Sequence, residues 1–454
     1  MIRRLILTLV PACLTAVLAA VPAQAAPAYL PGKVIVGLRP LAPPTVVAQV
    51  ARAGAPAGAP APTPQERVVT LRQGESVPAA IRSLRRRGGV AYAVPDYIAH
   101  AAGAYYPDDQ GGSHRRGGWA AMQWNFLPLV GVNAPGAWAN LIADHSPGGR
   151  GVVVAVLDTG VAYRNWRSFH RAPDFAGTRF VTPYDFVSNN RYPLDRDGHG
   201  TFVAGVIGET TNNGYGLTGL AYGASIMPVR ILGADGTGDA ATIARGIRYA
   251  VAHHAQVINL SLEFQLNVTP SDIPDILSAI RVAHDRGVTV VAAAGNEGVA
   301  QIAYPARAPQ VISVGATTRD RCLADYTNDG GHLDLVAPGG NEDTSMLADP
   351  GCHPGRNLPD ISQMTFFDPS NPNHFGYPGG WYGTSMAAPH VAAAAALVIA
   401  SGVIGSRPKP DAILARLEQT AQQLGSGHPN QYYGYGLVDA GAATTQSPTA
   451  ARRR

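Results

Sequence analysis

Cysteine is scarce in this chain, which contains three cysteines among 454 residues. Cys13 lies in the N-terminal segment, so only Cys322 and Cys352 remain in the body of the protein. So few cysteines exclude a small scaffold held together by several disulfides. In an exported chain we expect these two cysteines to form a disulfide, although two independent free thiols would leave the same count.

Long apolar runs are also few. Residues 5–21 form one such run, and the later run at 391–400 has only ten residues. Two arginines precede the first run, and Ala-Gln-Ala at 23–25 follows it as a cleavage site of small residues. We interpret residues 1–25 as a cleaved secretion signal, which predicts a secreted, extracellular protein with no membrane partner. The alternative is a membrane anchor, since the run approaches the ~20 residues that a span needs.

A basic excess is missing from most of the chain, although the net charge is +4. The first 25 residues carry +2, and residues 26–100 hold nine basic and three acidic side chains, which leaves −4 for residues 101–454. That balance argues against nucleic acid as a partner of the main body. With 46% hydrophobic and 15% charged residues, the composition is that of a globular protein.

Residues 29–100 have the pattern of a small α+β unit. Alternating apolar residues and turn signals predict strands at 32–38, 66–71 and 90–100, a helix at 76–87 and a short helix at 44–52. The polar, Gly-rich stretch at 101–120 is predicted to be a linker.

The remainder alternates between buried strands and helices. The predicted strands are 151–161, 225–232, 256–262, 288–295 and 310–317, with helices at 239–254 and 272–286. This alternation predicts an α/β fold: a three-layer, doubly wound, mainly parallel sheet with helices on both faces. Chemistry in such sheets lies at the carboxyl ends of the strands, where Asp158 and Asn296 are placed.

Four polar residues, each with glycine within two positions, could together perform acyl transfer. Asp158 ends a strand, His199 opens an apolar helix, Asn296 follows another strand, and Ser385 precedes a long Ala-rich run. A serine nucleophile needs a base, a group that orients the base, and donors for the oxyanion. Taken singly, each residue also fits a turn or a helix cap.

The blocks that contain these residues resemble a known family. "VLDTGV", "DGHGTFVAG", "AAAGNEG" and "GTSMAAPHVA" match the signature blocks of subtilisin-like serine peptidases, and the order Asp…His…Ser is the subtilisin order. The match covers about residues 121–441, and residues 29–100 resemble the family's inhibitory propeptide. The resemblance implies four parts: a signal at 1–25, a propeptide at 26–103, a catalytic domain at 104–445 and a tail at 446–454.

The resemblance also implies the roles of the four residues. Asp158 would orient His199, His199 would act as general base and then acid, and Ser385 would be the nucleophile. The Asn296 side chain and the Ser385 backbone N–H would form the oxyanion hole. The implied partners are polypeptide substrates and the chain's own propeptide as an intramolecular inhibitor, and we expect a monomer.

Further positions carry over from the family. The implied substrate-binding residues are Gly236, Thr237, Gly238, Ser261, Leu262, Glu263, Ala293, Ala294 and Gly295. The implied ligands of a structural calcium ion are the Asp174 carboxylate, Asn213 and the carbonyls of Thr211, Tyr215 and Leu217. An ordinary turn without metal is the alternative for that loop, and no organic cofactor is expected. Oxygen-only ligands suit Ca²⁺.

The chain departs from the family's pattern in three places. Phe202 replaces the usual histidine, with little expected effect. Glu263 replaces the usual glycine, which would place a carboxylate at the mouth of the P1 pocket and favour basic P1 or P2 side chains, or narrow the cleft; a loop with a shifted register is the alternative. The spacing from Asn296 to Ser385 is long, and we assign the extra length to residues 340–378, a surface loop that the disulfide would tether.

Two other functions compete with an active endopeptidase. A catalytically inactive subtilisin-like protein would retain the fold as a binding module or scaffold. A serine-carboxyl peptidase of acidic pH would use a Glu-Asp-Ser arrangement, and the "HGT" histidine block argues against it. Completeness of the four catalytic positions favours the active enzyme.

Overall fold

The structure is a computed structural model that describes residues 29–39, 66–72, 75–97, 104–113, 115–345 and 351–446. The predicted signal and the predicted short helix at 44–52 lie outside the described residues. The chain divides into two compact units, Met1–Ala99 and His100–Arg454. The division falls four residues before the boundary that we expected between propeptide and catalytic domain.

The first unit is a three-stranded antiparallel sheet with one helix. Its elements are β1 (Tyr29–Leu38), β2 (Glu66–Thr70), α1 (Val77–Arg85) and β3 (Val90–Tyr97), in the sheet order β2-β1-β3. Val34 and Val36 alternate with more exposed residues of β1, and they share a buried cluster with Leu84 of α1. The α1 N-terminus is capped by the Ser76 hydroxyl, which accepts from the Ala79 N–H at 3.4 Å. The predicted α+β unit is confirmed.

The second unit contains an eight-stranded sheet in the order β11-β10-β9-β8-β4-β7-β5, with β6 paired to β7, and its pairings are parallel. The strands are β4 (Val153–Asp158), β5 (Arg179–Phe180), β6 (Tyr184–Asp185), β7 (Ser225–Arg230), β8 (Val257–Leu260), β9 (Thr289–Ala293), β10 (Val311–Thr317) and β11 (Leu335–Pro338). A separate antiparallel hairpin pairs β12 (Thr365–Phe366) with β13 (Phe375–Gly376). The helices are α2 (Trp119–Met122), α3 (Ala134–Ala143), α4 (His199–Gly208), α5 (Ala240–Ala252), α6 (Pro274–Asp285), α7 (Thr384–Ser401), α8 (Pro410–Thr420) and α9 (Ala440–Ala443).

Both faces of this sheet are buried. In β4, Val154 and Val156 join the core on the side of α4 and α7, whereas Ala155 and Leu157 join the core on the side of α5 and α6. Successive side chains of a strand point to opposite faces, so a continuous apolar run is what a sheet covered on both sides requires. The predicted three-layer architecture is confirmed.

Helix α7 passes through the centre of the second unit. Among the described helices it is the one that is long and apolar enough to cross a membrane, with a mean hydropathy of 1.4, but 83% of it is buried inside the protein. Its alanines permit this burial because a small side chain lets neighbouring elements approach closely. The helix therefore forms the core on which the sheet and α4 pack.

The predicted linker at 101–120 is wrong for the residues that the structure describes there. The Trp119 side chain is fully buried and its indole N–H donates to the Pro107 carbonyl at 3.1 Å. Asp109 is also fully buried. The polar, Gly-rich composition indicated a loop correctly, but a loop whose side chains pack into the second unit.

Candidate active site

Asp158 ends β4 at the carboxyl edge of the parallel sheet and is fully buried. Its Oδ1 atom accepts hydrogen bonds from the Thr159 N–H at 2.7 Å and from His199 Nδ1 at 2.7 Å. A carboxylate can only accept, so Nδ1 carries the proton and Nε2 of the neutral ring keeps a lone pair. The His199 side chain keeps 21% of its exposure, so Nε2 can receive a proton at the surface of the site.

A second buried carboxylate, Asp195, holds the start of the helix that carries His199. It accepts five hydrogen bonds, from the N–H groups of Asp197, Gly198 and Thr201 and from the hydroxyls of Thr159 and Thr201. The first N–H groups of a helix have no partner within the helix, so an acidic cap there stabilises it. The motif "LDRDGHG" contains this signal, but Asp195 was not among the predicted residues.

The pKa of His199 reflects two opposing influences. Burial lowers it, whereas the charge of Asp158 and its hydrogen bond raise it, and the net effect is a pKa above the usual value. The ring is thus a stronger base than a free imidazole.

Ser385 is the second residue of α7, at the carboxyl edge of β8. Its hydroxyl donates to the Ser261 carbonyl at 3.3 Å, and the Ser261 hydroxyl donates back to the Ser385 carbonyl at 2.7 Å. Among the described residues, the Ser385 hydroxyl makes its hydrogen bond to Ser261 and none to His199. The Asp158–His199 half of the predicted triad is therefore hydrogen-bonded, and the His199–Ser385 half is not.

Aromatic packing connects His199 with the segment that leads to Ser385. Trp381, four residues before Ser385, has its ring centroid 6.2 Å from that of His199. Phe202, one turn beyond His199 in α4, stacks on Trp381 at 4.9 Å. Phe202 thus packs α4 against the segment that leads into α7. The sequence did not predict this contact.

The Asn296 amide is held in one orientation. Its Oδ1 atom accepts from the Thr384 N–H at 2.8 Å and from the Thr384 hydroxyl at 3.1 Å. With Oδ1 held in this way, the Nδ2 atom donates to Glu263 Oε1 at 3.3 Å. Gly295 has φ +115°, and a Cβ there would lie 2.2 Å from Asn328 Nδ2, so this turn requires glycine.

Glu263 lies beside Asn296, whose Nδ2 atom donates to it. Burial raises the pKa of Glu263, and the neighbouring charge of Glu297 raises it further, whereas the hydrogen bond from Asn296 lowers it. The Oε2 atom of Glu263 has no hydrogen-bond partner among the described residues. A carboxylate thus competes for the N–H group that was predicted to bind the oxyanion.

The remaining predicted substrate residues lie after β7, after β8 and at the end of β9. Gly236, Thr237 and Gly238 lie in an exposed loop after β7 that the Gly233 N–H closes by donating to the Thr237 carbonyl at 2.6 Å. Ala293 and Ala294 are buried at the end of β9, and the backbone of Ala294 is hydrogen-bonded to Val314 and Ala303. Leu262 is half-buried next to Ser261.

The predicted calcium loop gathers around Asp174. Asp174 accepts from Asn213 Nδ2 at 2.9 Å and from the Leu217 N–H at 2.8 Å. Thr211 and Tyr215 lie in the same loop, and the Tyr215 N–H donates to Asn213 Oδ1 at 2.8 Å. The predicted ligand residues Asp174, Asn213, Tyr215 and Leu217 therefore lie close together, joined in this structure by N–H donors.

Two carboxylates that were not predicted lie beside this loop. Asp109 accepts from the N–H groups of Asn212 and Asn213 at 2.7 and 3.1 Å. Burial raises the pKa of Asp174 to about 7 and that of Asp109 to about 6; burial and the charges of both raise the pKa of Glu209. Glu209 Oε1 is buried without a hydrogen-bond partner among the described residues. Buried carboxylates that lack a counter-charge fit a divalent cation, which the oxygen donors of the loop would complete.

Cys322 and Cys352 form a disulfide with a Cα–Cα distance of 5.4 Å, as expected. The segment that follows is not only a surface loop, because Gln363 and Thr365 are fully buried. The Thr365 hydroxyl donates to the Gly198 carbonyl at 2.7 Å, and Gln363 contacts Glu209. The extra segment therefore packs along α4 from its beginning to its end.

Comparisons with known proteins place the sequence in a family. The sequence model of the Subtilase family matches residues 149–436, and that of the fervidolysin N-terminal prodomain matches residues 15–96. The chain is 33% identical over 371 residues to the thermophilic serine proteinase of Bacillus sp. (strain AK1), covering 82% of this chain and 76% of that protein. It is 38% identical over 308 residues to subtilisin BL of Lederbergia lenta, covering 66% of this chain and 94% of that protein.

A solved protease structure also resembles this protein. The structure of a protease from Pseudoalteromonas arctica PAMC 21717 aligns with a TM-score of 0.58 and 30% identity, covering 75% of this chain and 99% of that one. The fold and the matches define a subtilisin-like serine endopeptidase that is preceded by a prodomain. The chain belongs to the subtilase family.

Proposed function

We propose that this protein is a secreted serine endopeptidase in which Ser385 is the nucleophile, His199 the general base and Asp158 the group that orients His199. The observation that carries the proposal is the 2.7 Å contact between buried Asp158 and His199 Nδ1, which leaves Nε2 as the acceptor. A base within reach of a serine is the requirement for nucleophilic catalysis by that serine.

The reaction proceeds in two stages. Ser385 Oγ attacks the carbonyl carbon of the scissile peptide bond while its proton passes to His199 Nε2. The C–N bond then breaks, His199 returns the proton to the leaving amine, and an acyl-enzyme remains. Water then attacks the acyl carbon while His199 Nε2 takes one of its protons. The bond between the acyl carbon and Ser385 Oγ breaks, His199 returns the proton to Oγ, and the product leaves as a carboxylic acid. Before the first step, the Ser385 hydroxyl must leave Ser261 and turn to His199, as hydrogen bonds at a catalytic site commonly tighten only with substrate bound.

Asn296 Nδ2 and the Ser385 N–H are the proposed oxyanion donors. The two hydrogen bonds from Thr384 to Asn296 Oδ1 support this role because they hold the amide before the charge develops. One such preorganised donor contributes about 10²–10³ to the rate. The partial positive charge at the start of α7 acts in the same direction.

The proposed maturation follows from the prodomain. The enzyme would cleave itself near residues 100–106, after removal of the signal, and the released propeptide would inhibit it until degraded. Residues 236–238 would pair with extended substrate by strand addition, a role that their exposed position supports. A calcium ion held by the Asp174 loop would supply structural stability.

The test is the Ser385→Ala variant. We expect it to accumulate as unprocessed precursor in a protease-free host and to lose labelling by a serine-reactive fluorophosphonate, whereas the parent chain matures and is labelled. Maturation of this variant would contradict autoprocessing. A folded, mature parent protein that takes no label would instead support the inactive scaffold.

A further inference from the structure

Among the exposed arginines of the loops that lead to the helix bearing His199, three lie over aromatic rings. They are Arg164, Arg167 and Arg196, and we call them the arginine patch. Arg164 and Arg167 follow β4, and Arg196 comes three residues before His199. The proposed mechanism uses none of them.

Aromatic rings hold two of these side chains in place. The Arg167 guanidinium carbon lies 4.2 Å from the centroid of the Trp166 ring, and that of Arg164 lies 5.5 Å from the centroid of Tyr192. Trp166 and Tyr192 stack on one another at 4.4 Å. A guanidinium group over a ring is oriented by it but keeps its charge and its outward N–H donors.

The third arginine joins the same cluster. Arg196 lies 5.2 Å from the centroid of Phe169. Phe169 and Trp166 are joined by two backbone hydrogen bonds, at 2.9 and 3.0 Å. The three guanidinium groups are therefore presented by one continuous aromatic support.

Within the described ranges, none of the three arginines forms an ion pair. Elsewhere in that part of the chain, Arg116, Arg230, Arg248 and Arg356 do so. The nearest carboxylates along the sequence are committed to the backbone: Asp195 caps α4, and Asp197 accepts from the His199 N–H at 3.1 Å. The patch therefore presents three charges without carboxylate partners to the solvent.

The position of the patch connects it with the reaction. Consecutive Cα atoms are about 3.8 Å apart, so the Cα of Arg196 lies within about 11 Å of that of His199. An extended peptide advances about 3.3 Å per residue. A substrate residue within about four residues of the cleaved bond can therefore span the distance from His199 to Arg196, which the aromatic contacts join to Arg164 and Arg167.

We propose that the arginine patch binds acidic side chains of the polypeptide substrate close to the scissile bond, so that the enzyme prefers acidic segments. The inference rests on the proposed function, because it takes His199 as the place of cleavage. Carboxylates are the geometric partners of guanidinium groups, which bind them through two parallel N–H donors. A contact of this kind is made equally in the ground and transition states, so it lowers KM and leaves kcat unchanged.

The experiment compares matched peptides that carry a Glu-Glu or a Gln-Gln pair at each position within four residues of the cleaved bond. We expect the parent enzyme to cleave the Glu-Glu peptide about 5- to 30-fold better in kcat/KM at one or two adjacent positions, as a few exposed ion pairs allow. This preference should fall towards unity in 1 M salt. The Arg164→Gln/Arg167→Gln/Arg196→Gln variant should lose it, whereas Arg281→Gln, an exposed arginine on α6, should retain it.

The ratio of Glu-Glu to Gln-Gln cleavage separates this inference from the proposed function. A ratio near one in the parent enzyme, or an unchanged ratio in the triple variant, would contradict binding of acidic side chains by the arginine patch, even though peptides are cleaved. If no peptide were cleaved, the proposed function would fail, and binding of the same peptides measured by fluorescence anisotropy would still decide on the patch. If the enzyme bound dextran sulfate but showed no preference among the peptides, the inference that the arginine patch binds acidic substrate side chains would also be contradicted.

Discussion

The first and last turns of α4 surround their carboxylates in opposite ways. At the first turn, Asp195 accepts five hydrogen bonds and Asp158 accepts from His199 and Thr159. At the last turn, Glu209 is the C-terminal cap, and its pKa is raised by burial and by its acidic neighbours. The helix dipole adds to this contrast, because it is positive at the N-terminus and negative at the C-terminus.

The contrast shows how differently the two ends partner their carboxylates. The catalytic end surrounds Asp158 and Asp195 with N–H and hydroxyl donors and a basic ring, although Asp158 Oδ2 has no hydrogen-bond partner among the described residues. The other end buries Asp109, Asp174 and Glu209 together, and these carboxylates need either protons or a cation. We therefore expect substitutions at the first end to affect catalysis, and those at the second to affect stability.

The largest expected effect breaks the catalytic end directly. Asp158→Asn keeps the shape of the side chain but donates an N–H where a carboxylate accepted, so His199 takes the wrong tautomer. We expect kcat to fall by about 10⁴, as such a change does in other serine peptidases. The control is Asp239→Asn, which replaces the N-cap of α5 by an equally good cap and should leave kcat unchanged. A loss of less than tenfold would contradict the role of Asp158.

The pH profile of the same variant sharpens this result. Burial is the largest single influence on the pKa of His199 and lowers it, but the charge and hydrogen bond of Asp158 and the charges of Asp197 and Asp195 together raise the pKa above its usual value. The neutral ring is the base, so activity is lost as the pH falls through this pKa. In Asp158→Asn the raising charge is absent, and the acid limb of the residual kcat/KM should move to lower pH.

The next effect tests whether the hydrogen bonds of Asp195 position the catalytic residue. Asp195→Asn keeps the volume but turns an N–H group towards backbone donors at the start of α4. A small displacement of His199 should lower kcat by about 10². The measurement is kcat at saturating substrate with the thermal midpoint recorded beside it. A lower midpoint with unchanged kcat would show that Asp195 is merely structural.

A smaller effect is expected at the other end of α4, and on stability. Calcium at ten times its Kd should stabilise the parent protein by about 1.4 kcal/mol, and Asp174→Asn should abolish this gain because it removes the charged ligand. The gain in stability is measured by thermal unfolding in the presence of calcium and in the presence of a chelator. The matched control Asp272→Asn, an exposed loop aspartate, should respond as the parent does. Equal calcium responses in all three proteins would contradict a site at Asp174.

The smallest expected effect concerns Glu263, a carboxylate beside the catalytic centre. As with Glu209 at the last turn of α4, burial and a neighbouring acidic charge raise its pKa. Glu263→Gln removes a negative charge near the developing oxyanion and weakens the competition for Asn296 Nδ2. We expect kcat to rise by roughly two- to tenfold at pH 8. The rise should be smaller near pH 5, where the raised pKa leaves part of the parent's Glu263 protonated. A fall in kcat at both pH values would indicate that Glu263 instead supports Asn296.

Much of the fold could be predicted from local sequence pattern. The five predicted strands of the large sheet correspond to β4, β7, β8, β9 and β10, and the two predicted helices to α5 and α6, with ends that differ by at most three residues. The edge strand β11 and the hairpin β12–β13 were missed, because strands of two to four residues are too short for periodicity to appear. The buried role of Trp119 was missed because glycines and polar residues around it dominate the local pattern.

The sequence by itself determined the two-faced burial of the sheet, the glycines at sharp turns, and the four polar residues that follow strands or open helices. These features are local, since they depend on spacing and on the conformations that each residue allows. Only the tertiary structure decided that Asp195 caps α4, that Asp109 and Glu209 join Asp174, and that Glu263 contacts Asn296. Those contacts join residues from separate elements, and which of them meet depends on how the whole sheet and its helices pack. The unpaired arginine patch is likewise a tertiary property, because a guanidinium group lacks a partner only when no other element brings a carboxylate to it.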